Sequence, residues 1–118
     1  MNQSNMTIPA REIIDDILPK LASLQSFVDH TLSNSIRQQE SAEQRRQEES
    51  LKSELQMELT IIRMNIDHLV KRHKTILSQL GVSRRVCGPS AKLDQAEATA
   101  IERLMQLHQR IRTLYAEA

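Results

Sequence analysis

The residues of this chain able to do chemistry by themselves are four histidines, one cysteine and an acidic cluster near the N-terminus. His30, His68, His73 and His108 could shuttle protons near neutral pH or ligate a metal. No two of them stand at i,i+3 or i,i+4, however, and no Glu-x-x-His pair occurs, so their spacing encodes neither a zinc-protease helix nor a di-iron bundle. Glu12, Asp15 and Asp16 share a helical neighbourhood but have no base or nucleophile beside them in the sequence, and they read as a solvated face. Cys87 follows Arg84, Arg85 and Val86, cations that would favour a thiolate, yet its setting is that of a loop cysteine. A single cysteine forms no internal disulfide and no cysteine-built zinc site, which fits a reducing compartment. Neither a Gly-rich phosphate loop nor a Gly-x-Ser-x-Gly elbow is present. Catalytic residues, metal ligands and cofactors are therefore expected to be none, and the chain reads as non-enzymatic.

Charge is the second chemical resource. The net charge is only +1, but residues 59–92 carry seven basic residues against Asp67 alone. Arg63, Lys71, Arg72, Lys74, Arg84 and Arg85 could contact an acidic protein or a nucleic-acid backbone, with salt-dependent affinity. No aromatic residue interleaves them as a stacking platform. An ordinary solvated face is the favoured reading, with acidic partners and nucleic acid as alternatives.

These residues must be positioned by helices. Phe27 and Tyr115 are the only aromatics, Gly occurs twice and Pro three times, and good helix formers fill most of the rest. With no sustained period-two alternation, the expected class is all-α. A first helix begins near Thr7 or Ile8, carries Pro9 in its first turn, and runs an apolar stripe through Ile14, Ile17, Leu21, Leu24 and Val28. Pro19 interrupts that stripe and predicts a bend. From Arg37 to Ser50 only Ala42 is nonpolar, which predicts a solvated helix, continuous with its predecessor or restarted after Ser33-Asn34-Ser35.

The strongest periodicity comes next. Leu55, Leu59, Ile62, Ile66, Leu69, His73, Ile76 and Leu80 alternate at spacings of 4 and 3, a heptad seam with His73 at an a position. An imidazole there would set register or pack at the seam's edge, while Lys71, Arg72 and Lys74 fall on outer or flanking positions. Gly81 is placed to cap this helix, and a basic connection leads to Leu93 and to Asp94 with Glu97, a capping box for a last helix. Its stripe, Leu104, Leu107, Ile111 and Leu114, predicts antiparallel return onto the heptad helix.

The expected organisation is a flexible N-terminus over 1–8, an amphipathic helix over 9–36, a polar helical connector over 37–50, a heptad helix over 51–80, a basic loop over 81–92 and a C-terminal helix over 93–118. This is an elongated coiled coil or three-helix bundle that oligomerises, because three narrow stripes flanking a polar segment are not expected to close on one another within one short chain. Its interface would be Leu55, Leu59, Ile62, Ile66, Leu69, His73, Ile76 and Leu80, with Leu104, Leu107, Ile111 and Leu114. The expected partner is a second copy or another helical protein, with a nucleic-acid regulator or an adaptor for an amphipathic helix as alternatives. No apolar run reaches a membrane-span length, and no leader pattern opens the sequence, so an intracellular place, cytoplasmic or nuclear, is expected.

Overall fold

The computed structural model describes residues 6–82 and 89–115. Arg84, Arg85 and Cys87, singled out above, lie outside the described residues. The fold is mostly helical, built as three antiparallel layers of helix with one small β-ladder at the end where the last helix begins.

β1 (Thr7–Pro9) precedes a helical rod made of α1 (Ala10–Glu12), α2 (Leu18–Ser26) and α3 (Ser33–Gln38), joined by two wide turns at Ile13–Ile17 and Phe27–Leu32. Pro9 therefore precedes the first helical residue and does not sit inside the first turn. Pro19 opens α2, directly after the first wide turn, where the Leu18 N–H reaches back five residues to Ile13 O. Proline cannot donate to the carbonyl four residues back and its ring crowds it, and a widened turn just ahead relieves that conflict while the helix continues.

The rod does not continue into the polar segment. Gln39 and Ser41 adopt extended backbone, with ψ of 128° and 127°, and the chain reverses there. Ser41 caps α4 (Ala42–Arg72) by accepting the Gln44 N–H. Glu48 then ties the reversal to the rod, accepting from Ser35 Oγ at 2.9 Å and from Gln39 Nε2 at 3.2 Å. The break is thus neither absent nor at Ser33–Ser35. Ser41-Ala42-Glu43-Gln44 carries the Ser-x-x-Gln pattern of a capping box, a signal that marks the helix start.

That reversal decides the core. Ile13, Ile17, Leu21, Leu24, Val28 and Leu32 from the rod meet Leu55, Leu59, Ile62, Ile66 and Leu69 from α4, and Ala100, Leu104, Leu107 and Ile111 from α6 (Gln95–Tyr115), in one apolar cluster. Each large aliphatic side chain so enclosed contributes about 1.5–3 kcal/mol. The expectation that three stripes could not close within one chain is corrected here: reversal at 39–41 and the return of α6 lay all three together. The particle is nonetheless long, 52 × 34 × 23 Å with a radius of gyration of 16.9 Å, against roughly 13–14 Å for a compact chain of this length.

At His73 the long helix changes direction. Its backbone, at φ −115° and ψ 28°, ends α4, and α5 (Lys74–Val82) follows, running one residue beyond Gly81. The segment drawn as loop over 81–92 contains β2 (Ser90–Lys92), which pairs antiparallel with β1 so that Ile8 faces Ala91 and both are buried. The ladder is extended by Leu93 N–H to Met6 O at 3.0 Å and Ala10 N–H to Pro89 O at 2.9 Å. Three-residue strands are too short to leave an alternation detectable in sequence.

Candidate interaction surface

The proposed interface residues are placed almost wholly inside this chain. Leu55, Leu59, Ile62, Ile66, Leu69, Leu80, Leu104, Leu107 and Ile111 are buried, His73 and Ile76 are half-buried, and Leu114 is exposed. What they touch is the chain's own rod and last helix.

An apolar surface exists elsewhere, on the opposite side of the same helix. Met57, Ile61 and Met64 are 69%, 57% and 66% exposed. At about 100° per residue they stand on one face, roughly half a turn around from Leu55, Leu59, Ile62 and Ile66. The surface around Met57 and Ile61 is open and nearly flat, formed with Ser53, Gln56 and Thr60 of the same helix. The signal was available in the sequence, since Met57, Ile61 and Met64 repeat at i, i+4 and i+7. It is masked because the neighbouring seam residues make the stretch apolar on two faces at once, and a single-stripe template selects the longer seam.

The basic residues divide. Arg63 Nη1 donates to Gln25 Oε1 at 2.8 Å, and Arg72 turns inward toward the start of α6, so neither is a freely projecting cation. Lys71 and Lys74 are exposed. Among the described residues the segment therefore does not form one continuous basic stripe.

Around Glu97 lies the most concentrated chemistry. This carboxylate is fully buried. Its Oε1 accepts the Asp94 N–H at 2.9 Å while Asp94 Oδ1 accepts the Glu97 N–H at 2.7 Å, the reciprocal capping box expected from their spacing. Oε2 accepts His68 Nδ1–H at 2.8 Å and lies 3.4 Å from Arg72 Nε. Lys92 O accepts from both Arg72 Nη2 and His73 Nε2, each at 3.0 Å. His73, expected to set register or to pack at the seam's edge, meets a backbone carbonyl there. His68, Asp94 and Glu97 come within 4.8 Å, a grouping that local spacing could not reveal because the histidine stands on another helix. As metal ligands they fit poorly: both Glu97 oxygens already accept hydrogen bonds, and a guanidinium lies against one of them. The arrangement instead latches the start of α6 to the end of α4, with the negative charge at the favourable end of the helix dipole.

One histidine has a perturbed acidity. Burial, then the positive charges of Lys20 and Arg112, lower the pKa of His108 from its ordinary value, partly offset by Asp16. Asp16 itself is paired with Lys20 one helical turn along the rod.

Comparison with protein-family models, curated proteins and solved structures gives no match for this chain. Among the described residues, no helix is long and apolar enough to cross a membrane.

Proposed function

We propose that this chain is a non-enzymatic helical interaction module that joins a larger assembly through the outer face of α4. The observation carrying this reading is the row Met57, Ile61 and Met64, three large apolar side chains left in water on the middle of a helix whose opposite face is already filled. Single exposed apolar residues are ordinary on protein surfaces, whereas a row at helical spacing is the pattern by which one helix packs on another. Two of the three are methionines, whose flexible thioethers adapt to a partner's shape. The inner seam supports the reading indirectly, by holding α4 rigid so that the outer row keeps its geometry. An adaptor that receives another protein's amphipathic helix would use the same face.

Native mass of the assembly purified from its source tests the proposal. The wild-type chain is expected in a particle heavier than one 13.6 kDa chain, and Ile61→Glu is expected to run at one chain's mass with unchanged helicity. A wild-type chain that is always solitary overturns it.

A further inference from the structure

The occupant of the outer face follows from how charge is distributed along α4. Ahead of the apolar row, Glu43, Glu48, Glu49 and Glu54 outnumber Arg45, Arg46 and Lys52. Beyond the apolar row Lys71 and Arg72 stand against Asp67, with Lys71 projecting into solvent and Arg72 held against Glu97. Such a helix is complementary to itself when reversed. We infer that the partner seated on Met57, Ile61 and Met64 is a second copy of this chain, its α4 lying antiparallel across a two-fold axis between Thr60 and Ile61.

The geometry of that pairing can be read from residue positions. Met57 and Met64 lie equally far from the axis, about 5 Å to either side, so each methionine meets the other's counterpart while Thr60 and Ile61 meet at the centre. Farther out, Glu49 lies about 17 Å on one side and Lys71 about 16 Å on the other, which brings each Glu49 level with the Lys71 of the second copy. Glu49 and Lys71 stand on the same flank of the row at about 100° per residue, and antiparallel helices bring like flanks together. Both are exposed, and neither makes an ion pair with another described residue. A parallel pairing would instead set Glu49 level with Glu49 and Lys71 level with Lys71, and the match would be lost.

The extent of the row also sets the class of complex. The three side chains expose on the order of a few hundred Å² of apolar surface, below the roughly 800 Å² per partner of a standard stable interface. Association is accordingly weak and concentration-dependent, with the two Glu49 to Lys71 contacts choosing direction more than strength.

This inference rests on the proposed role of the outer face, and a mutant series separates the two. Sedimentation equilibrium over a wide concentration range is expected to show the wild type passing from one 13.6 kDa chain to two. Ile61→Glu should raise the dissociation constant at least about 10-fold without loss of helicity, since a charge enters the apolar contact. Glu49→Lys and Lys71→Glu should each weaken pairing by roughly 2- to 5-fold, and the double variant E49K/K71E should recover it, because each new lysine then faces a new glutamate. Failure of the double variant to recover overturns the antiparallel pairing. A wild type that stays single at every concentration, while its native assembly still depends on Ile61, overturns the second copy and leaves the interaction role standing. A wild type single both alone and at source overturns both.

Discussion

Between Leu55 and Leu69 the long helix carries two apolar faces of similar chemistry and opposite fate. Leu55, Leu59, Ile62, Ile66 and Leu69 are at most 1% exposed, while Met57, Ile61 and Met64 on the other side are more than half exposed. The difference lies in the rest of the chain. A turn at Gln39–Ser41 folds the rod back onto one face, and the latch at Glu97 fixes α6 beside it, whereas nothing among the described residues reaches the other. Periodicity thus states which side chains act together, and only the connections state which surface covers them.

The largest expected effect breaks the inner face. Ile66→Asp should cost about 4–5 kcal/mol or prevent folding, because a carboxylate would enter a fully buried site within the apolar cluster. Leu69→Ala, a smaller insult, should cost about 2–5 kcal/mol by leaving a cavity. Urea titration followed by helicity measures both. Equal costs for Ile66→Asp and Met64→Asp would erase the distinction between the faces.

Next comes the latch that holds the covering helix in place. Glu97→Gln keeps the side chain's shape but removes its charge, so Arg72 and His68 lose their anion and the Asp94 cap is left with a weaker partner. A loss of about 1–3 kcal/mol is expected, larger than for Asp94→Ala, where only the reciprocal cap, worth about 1 kcal/mol, is removed. A cost for Glu97→Gln no greater than for Asp94→Ala would show that the cross-helix contacts add nothing to the cap.

These sites differ in how legible they were. The helical class, most of the inner stripes and the Asp94–Glu97 box could be read from spacing because each is set by near neighbours on one helix, although the first stripe runs through the buried Ile13 and not through Ile14, which is half-buried. His68 and Arg72 could not be joined to Glu97 in advance, since 29 and 25 positions separate them and the pairing exists only after α6 packs back. The turn at 39–41 was obscured by the helix-forming residues on both sides, although Ser41 and Gln44 mark it. The β-ladder was illegible because each strand contributes only three residues.

A smaller effect distinguishes the α6 side of the core by pH. The His108 pKa is lowered, first by burial and then by Lys20 and Arg112. Below its ordinary value the unfolded chain binds a proton more readily than the folded one. Stability should therefore be undiminished by this group above about pH 6.5 and should fall as pH drops below that value, levelling off once the folded form is also protonated. His108→Gln should flatten the stability profile just below about pH 6.5, and an unchanged slope would assign the loss to other groups.

Smallest of all should be the stability change from Met57→Gln and Met64→Gln, and that smallness is informative. These side chains are already about two-thirds exposed in the folded chain, so removing their apolar surface forfeits little transfer free energy. Methionine and glutamine also have similar helix propensity. At low protein concentration the double variant should unfold within about 0.5 kcal/mol of the wild type. Raising the concentration separates them, because a complex that binds only folded chains adds stability by mass action. The wild-type melting temperature should rise with concentration and the variant's should not. A loss of several kcal/mol at low concentration would mean that these methionines are covered within the single chain, and the contrast between the two faces of α4 would disappear.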